Sequence, residues 1–217
     1  MKKLLLLILV MSFGCGQALA ITVMGPPTAT LERGQFAVAP EYSYSETDIE
    51  KERRGIGDVT LNLLLLRIAY GLRDDVELYV RGGTGGGSQW VPITLGAGVR
   101  CTFTEYAGIP LGALFQAQWI PAAEFFAGNL DLYDIQIAVG PTYRVDSFYL
   151  YGGPFLHFLR GEGTNDLFDT DYDVEEDSVF GAYVGVGAEL TEHLGVHVEL
   201  QATGGAYGFG AGLPWNF

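Results

Sequence analysis

The sequence predicts an all-β fold: a closed antiparallel up-and-down transmembrane β-barrel of ten strands, with eight strands as the alternative. Apolar residues alternate with polar or small residues in ten segments that follow one another from residue 35 to residue 217. The connections between these segments alternate between long and short, as in membrane barrels, except that the last one, "TGG", is short where a long one is due. The region after residue 20 has no apolar run of eighteen residues, which argues against membrane-spanning helices.

The first twenty residues are expected to be a cleaved signal peptide. "MKK" is a basic start, "LLLLILV" is a short apolar stretch, and "ALA" at 18–20 is typical of a cleavage site. The alternative is lipoprotein processing at Cys15, which Gly14 fits but Phe13 does not. Residues 21–34, "ITVMGPPTATLERG", are expected to form a periplasmic leader before a barrel that spans 35–217.

Composition excludes several classes of protein. The chain has 31 Gly, 12 Tyr and 13 Phe among 217 residues, which is typical of many short strands with tight turns. Its net charge of −14 argues against a nucleic acid partner. Loss of the signal peptide would remove two lysines and no acid, leaving Lys51 as the remaining lysine. Cys101 would be the one cysteine left, so no intrachain disulfide is expected.

The first five segments each place apolar residues at every second position. In the second segment a run of leucines hides the alternation, so a β-bulge that switches faces is expected there. The segments are QFAVAPEYSY (35–44), VTLNLLLLRIAY (59–70), VELYVRG (76–82), ITLGAGVRCT (93–102) and LGALFQAQW (111–119).

The last five segments repeat the pattern, with small or polar residues between apolar ones. A soluble barrel would turn its glycine-rich face to water, where glycines make a poor surface, so we expect the apolar face to meet lipid instead. The segments are YDIQIAVGPTY (133–143), FYLYGGPFLHFL (148–159), FGAYVGVGAEL (180–190), VHVELQA (196–202) and YGFGAGLPWNF (207–217).

The last segment resembles the C-terminal assembly signal of outer-membrane barrels, with Phe209, Leu213, Trp215 and Phe217 at alternate positions. "VGVGAELTEHLGVHVELQA" also resembles the penultimate hairpin of the small outer-membrane β-barrel family of diderm bacteria, which includes OmpA-like and OmpW-like domains. The resemblance implies location in the cell outer membrane, contact with its lipid and lipopolysaccharide, and recognition by the barrel-assembly machinery during insertion. Pro214 departs from the pattern because it removes a ladder hydrogen bond.

The polar positions of the strands are expected to face the lumen. Ten strands leave little free space inside, so a hydrogen-bonded and ion-paired network is expected to fill the barrel. The alternative is a narrow pore gated by Arg81 or Arg100, through pairing with carboxylates. The candidate lumen residues are Glu41, Glu77, Arg81, Arg100, Asp134, Gln136, His157, Tyr183, Glu189, His197 and Glu199.

The long connection "NDLFDTDYDVEEDS" is a weak candidate for metal binding. Asp169, Asp171, Asp173 and Glu175 alternate, and oxygen ligands at this spacing suit Ca²⁺. The sharp-turn glycine of calcium loops is missing, so we expect a solvated acidic loop and no cofactor. A divalent cation held by this loop, or bridging it to lipopolysaccharide phosphates, is the alternative.

The expected function is a structural or surface-interaction role with a largely plugged lumen. A narrow channel for small solutes is the alternative. A hydrolase acting on lipid A or peptides at the barrel rim is the third hypothesis. No catalytic residues are predicted, because no His is followed two residues later by Ser and the single Asp-Asp pair, Asp74-Asp75, falls in a short turn. The oligomeric state is not predicted.

Overall fold

A computed structural model describes residues 22–47, 59–87, 91–125, 128–165, 170–175 and 179–217. The predicted signal peptide therefore lies outside the described residues. Twelve strands follow in chain order, and among the described residues no helix is long and apolar enough to cross a membrane. The strands are β1 (Phe36–Thr47), β2 (Val59–Arg73), β3 (Val76–Gly87), β4 (Val91–Tyr106), β5 (Ile109–Phe125), β6 (Gly128–Val145), β7 (Phe148–Asn165), β8 (Thr170–Glu175), β9 (Phe180–Glu189), β10 (Gly195–Thr203), β11 (Ala206–Gly212) and β12 (Trp215–Asn216).

Ten of these strands form the barrel wall, as the sequence predicts. Each wall strand pairs antiparallel with the next one along the chain, and β11 returns to pair with β1 from Glu41↔Gly212 to Thr47↔Ala206. This pairing closes the sheet, so no wall strand keeps a free edge. Of the two extra strands, β8 pairs among the described residues with the end of β7, and β12 continues β11 along β1. The prediction of a closed antiparallel ten-strand barrel is confirmed.

Side chains alternate across the wall. In β9 the exposed and buried residues alternate over most of the strand, with apolar Val184 and Val186 outside and Tyr183 inside. The barrel interior is thus the polar side, and the outer surface carries the large apolar side chains. This is the reverse of a soluble barrel, where the apolar face makes the core.

Aromatic side chains on the outer surface lie at two levels. On β6, Tyr133 and Tyr143 both point outward, 48% and 51% exposed. They are ten residues apart, which is about 34 Å along the strand and roughly 26 Å along an axis tilted by about 40°. Tyr133 pairs with Trp119 of β5 at one level, and Phe148 lies next to the short turn at the other. The spacing matches the apolar band of about 25 Å between the aromatic girdles of membrane barrels.

The prediction of a β-bulge in the leucine run of β2 is wrong. The β1–β2 register is regular from Phe36↔Tyr70 to Thr47↔Val59, and the register of β2 shifts only at Gly71/Arg73. Leu63 and Leu65 point inward and are buried, whereas Leu64 and Leu66 point outward and are 61% and 49% exposed. Both faces of this strand are therefore apolar here, which is why its alternation is invisible in the sequence.

Pro214 interrupts the closing strand as its chemistry requires. β11 ends at Gly212, and pairing with β1 resumes at Trp215, which lies opposite Val38. Next to the proline, the Leu213 N–H donates to the Pro40 carbonyl at 3.0 Å, and the Phe217 N–H donates to the Phe36 carbonyl at 2.8 Å. The hydrogen-bond ladder therefore resumes after Pro214, the one residue that has no N–H to donate, and continues to Phe217.

The leader was expected to lie in the periplasm, outside the barrel. Its described residues from Thr22 onward instead enter the lumen. Residues 22–28 are all buried, and their polar groups bond to side chains of the wall. The chain leaves the lumen beside the short β2–β3 turn, where the Gly34 N–H donates to the Gly71 carbonyl at 2.7 Å. Ten strands enclose a wider interior than eight, which side chains alone just fill, and the leader occupies that additional space.

Candidate functional site

The candidate site is the lumen together with the segment 22–31 that occupies it, here called the lumen segment. The backbone of this segment makes no sheet ladder, so its amides and carbonyls need other partners. Glu199 supplies two of them, because one carboxylate oxygen accepts from the Met24 N–H and the other from the Gly25 N–H, each at 2.8 Å. The Ser43 hydroxyl accepts from the Val23 N–H at 2.8 Å.

Wall side chains also satisfy the carbonyls of the lumen segment. Arg81 donates to the Val23 carbonyl at 2.8 Å, and Arg100 donates to the Met24 carbonyl at 2.6 Å. Because the guanidinium group is planar and carries several donors, one arginine can hold the segment and a wall acceptor together. The segment is thus bound by charged groups from opposite sides of the barrel, Glu199 on β10 and the arginines on β3 and β4.

The lower part of the lumen segment is held by hydroxyl groups. Thr28 Oγ1 lies 2.7 Å from Thr142 Oγ1, and the Ala29 N–H donates to Thr102 at 3.0 Å. Thr30 donates both its N–H and its hydroxyl to one oxygen of Glu77, at 3.0 and 2.8 Å. The segment therefore contacts the wall over its whole length, from Thr22 to the turn at which it leaves the lumen.

A charged cluster lies beneath the lumen segment. Arg67 lies 2.9 Å from Glu41 and 3.8 Å from Glu77, and Arg100 lies 3.0 Å from the same Glu77 oxygen. Both guanidinium groups lie over the ring of Tyr79, at 5.5 and 5.0 Å from its centroid. All five side chains are buried, so the pairs are screened little by water.

A second group of polar side chains surrounds Thr22. Its hydroxyl donates to Asp134 at 2.8 Å and accepts from Arg81 at 2.7 Å. The other oxygen of Asp134 lies 3.0 Å from His157 Nε2. Gln136, on the same strand as Asp134, accepts from Gln116 at 2.6 Å.

Ten of the eleven predicted lumen residues are buried in the lumen. Tyr183 packs between Phe155 and Tyr151, with ring centroids 6.1 and 6.2 Å apart. His197, 2% exposed, reaches Gly212, and a Cβ on that glycine would lie 2.5 Å from the imidazole. Glu189 is the exception, because it lies exposed at the short-turn end and pairs with Arg144.

Sequence reasoning missed two features of the lumen. Arg67 was not predicted to face inward, because the leucines before it hide the alternation of β2. Its partner across the β2–β3 hairpin is Arg81, a predicted lumen residue, so the register of this hairpin would have placed Arg67 on the same face. The second feature is the lumen segment. Its signal was a polar wall with more hydrogen-bonding groups than its own side chains could satisfy, which is hard to count without the register.

A cavity of about 170 Å³ lies at the short-turn end, below the lumen segment. Its lining includes Arg67, Glu77 and Arg100 of the charged cluster together with His197, and also the exposed pair Arg144 and Glu189. Pro26 and Thr30 of the lumen segment form part of its lining.

The other predicted site residues lie outside the lumen. Phe209, Leu213, Trp215 and Phe217 of the predicted assembly signal point outward, with 39% to 71% of their surface exposed. Asp169 of the candidate calcium site lies outside the described residues. Asp171, Asp173 and Glu175 lie on β8, and their side chains are not described.

Comparisons of the chain with known proteins found similarity in structure but none in sequence. No protein-family model matches it, and no curated protein sequence does. Among solved structures, the translocator domain of the autotransporter NalP from Neisseria meningitidis is similar with a TM-score of 0.47 and 13% identity, covering 87% of this chain and 90% of that one.

Two further solved structures give similar values. Neisserial surface protein A has a TM-score of 0.44 and 14% identity over 85% of this chain and 100% of that one. The attachment invasion locus protein Ail of Yersinia pestis has a TM-score of 0.42 and 12% identity over 85% and 99% of the two chains. The barrel topology described above comes from this chain's own strand pairing.

Proposed function

We propose that the chain is an outer-membrane β-barrel with a structural or surface-interaction role, and that its own N-terminal segment seals its lumen. The observation that carries the proposal is the binding of residues 22–31 by wall side chains of β1, β3, β4, β6 and β10. Glu199, Arg81, Arg100 and Glu77 each contact the backbone or a hydroxyl of this segment. A segment bound in this way leaves no continuous water path through a ten-strand barrel.

The apolar outer surface supports a membrane location. Leu64, Val80 and Leu150 are 52% to 61% exposed, and similar side chains continue around the wall. A patch of this size is unfavourable in water and is stable against lipid tails. The closed sheet also satisfies its backbone groups internally, as a membrane requires.

A narrow channel is the second candidate function. It is favoured because no covalent bond joins the lumen segment to the wall side chains that hold it. The lumen segment is held by hydrogen bonds and by the packing of Met24 and Leu31 against apolar wall side chains. No disulfide ties it to the wall, since the described residues contain a single cysteine, Cys101, which is free. The segment is therefore displaceable, and the cavity at the short-turn end would join the space that it leaves. In this function the lumen segment is the gate.

The test is conductance across planar lipid bilayers. We compare the wild-type chain with a variant that lacks residues 22–31, each first shown to migrate as a folded barrel on an unboiled gel. The sealed-barrel proposal predicts no steady conductance for the wild type and open conductance for the deletion. Steady wild-type conductance would overturn the seal and support the channel. A closed deletion variant would show that wall side chains alone fill the lumen.

We further propose that the barrel has no enzymatic activity and that its outer loops contact lipopolysaccharide. The hydrolase hypothesis is tested by mass analysis of lipid A from cells that express the chain. A change in acyl composition relative to cells that do not express the chain would overturn the non-enzymatic role. Ca²⁺ binding by the acidic segment is tested by titration of the folded barrel against the Asp171→Asn, Asp173→Asn double variant.

A further inference from the structure

The cavity at the short-turn end has three arginines in its lining. Arg67, Arg100 and Arg144 reach it from β2, β4 and β6. Arg67 and Arg100 are 4% and 1% exposed, whereas Arg144 is exposed to water at the same end. Guanidinium groups recognise carboxylates and phosphates with planar pairs of hydrogen bonds. At about 170 Å³ the cavity is smaller than the pockets that hold drug-sized molecules, so it suits a small solute.

The two buried arginines retain unused hydrogen-bond donors. Arg67 Nη1 lies 3.8 Å from Glu77, which is too far for a hydrogen bond, and Arg100 Nε has no partner among the described residues. His197 also lines the cavity, is 2% exposed, and has no described partner at Nε2. Because buried donors in native proteins are nearly always paired, the two arginines indicate a group that supplies acceptors.

The acidic side chains of the cavity lining are either saturated or in contact with water. Both oxygens of Glu77 already accept hydrogen bonds, one from Arg100 and the other from the lumen segment. Glu189 is exposed and pairs with Arg144, and Glu192 is exposed as well. The unused capacity of the buried arginines consists of charged donors, which favours a ligand that accepts hydrogen bonds and is negatively charged.

Tyr79 and Glu41 hold the two buried guanidinium groups in place. The guanidinium carbons of Arg67 and Arg100 lie 5.5 and 5.0 Å from the centroid of the Tyr79 ring, and Arg67 Nε lies 2.9 Å from Glu41. Glu41 has one buried oxygen without a described partner, but it does not line the cavity. The donors are therefore positioned before a ligand binds, which reduces the entropy lost on binding.

We propose that this cavity is a binding site for a small oxyanion, a dissolved solute with a carboxylate or phosphate group. The buried Arg67 and Arg100 donate to its oxygens, and the exposed Arg144 attracts it from water. The short turns of outer-membrane barrels face the periplasm, so the solute comes from that compartment. Lipid headgroups lie against the outer surface of the wall, so the lumen cavity selects a free solute. Binding requires no open pore, because Pro26 and Thr30 of the lumen segment are part of the site.

The test is titration calorimetry of the processed full-length barrel in a non-ionic detergent that contains no phosphate. The barrel is first shown to be folded by its mobility shift on boiling. Inorganic phosphate and succinate are titrated separately, and uncharged succinamide is the control solute. We expect saturable one-to-one binding of phosphate or succinate and no binding of succinamide. If neither anion shows saturable binding up to about 10 mM, the proposal is overturned, and water alone satisfies the arginine donors.

Two variants locate the bound anion. The Glu41→Gln, Arg67→Gln double variant removes both members of a buried ion pair, so neither charge is left unpaired. Its affinity for the anion should fall about tenfold or more, because a hydrogen bond to a charged group is lost. Ala37→Leu adds apolar volume to a buried residue of the lining and leaves the arginines unchanged. It should weaken binding by a similar factor.

The matched control is Arg73→Gln. The Arg73 side chain is 69% exposed in the β2–β3 turn at the same end of the barrel, and it does not line the cavity. This variant should bind the anion as the wild type does. Wild-type affinity in a folded double variant or in folded Ala37→Leu would overturn the site, and so would an equal loss in Arg73→Gln. Ala37→Leu decides the question if the double variant does not fold.

Discussion

Glu199 is the residue on which binding of the lumen segment depends most. Its two oxygens accept from the Met24 and Gly25 amides, both at 2.8 Å, and the carboxylate is 1% exposed. In a Glu199→Ala variant, both amides lose their acceptors while the segment stays in the lumen. A buried unsatisfied group costs about 1–3 kcal/mol, so the bound state of the segment should lose about 2–6 kcal/mol.

Hydrogen exchange measures this loss directly, because the two amides exchange only when the segment opens. At about 1.4 kcal/mol per factor of ten, the predicted loss raises their exchange rates by about 30-fold to about 20,000-fold. The amides of β5 and β6, which belong to the wall ladder, should keep their wild-type rates. Barrels in detergent or nanodiscs suit the measurement equally.

The matched control is Glu189→Ala. Glu189 is also a glutamate of the β9–β10 hairpin, but it is exposed and its side chain pairs with Arg144 at the short-turn end. Its loss should leave the Met24 and Gly25 rates unchanged. If Glu199→Ala changes those rates by less than about threefold while the barrel stays folded, the lumen segment is not held as described.

Three further predictions concern the barrel wall. Gly187→Ala places a Cβ 2.1 Å from a buried tyrosine ring, so it should cost about 1–3 kcal/mol in urea unfolding, whereas Gly205→Ala, with no atom within 4 Å, should cost little. Arg67→Met leaves the Glu41 carboxylate buried and unpaired and should cost about 3–5 kcal/mol, and adding Glu41→Gln should recover most of that loss. Val80→Arg puts a charge on the outer apolar face and should cost about 2–4 kcal/mol in a bilayer; an unchanged stability there would contradict a lipid-facing wall.

The fold was predictable because strand alternation and connection length are local signals. On a regular strand, the alternation of neighbouring residues predicts which side chains face the lumen. Glu77 and Arg81 on β3 are examples. Pro214 was likewise recognised as a break, and the ladder resumes immediately after it.

What escaped prediction depends on long-range packing. The inward orientation of Arg67 was not predicted because leucines occupy both faces of β2. The polarity of neighbouring residues therefore does not show which face of the strand is the lumen face. The lumen segment was missed because nothing in "ITVMGPPTATLERG" marks it as buried. Its partners Glu199 and Arg100 lie 175 and 76 residues away from Met24, and only closure of the sheet brings them together.

The most direct measurement is the mobility of the purified chain on a detergent gel with and without boiling. A closed sheet with an apolar exterior resists detergent, so we predict a folded band that shifts on boiling, obtained only in the presence of detergent or lipid. The same band should persist when the lumen segment is deleted if the wall alone closes the barrel. A monomer that stays folded and soluble without detergent, and shows no shift, would contradict the membrane barrel, because its apolar face would then have to be a core.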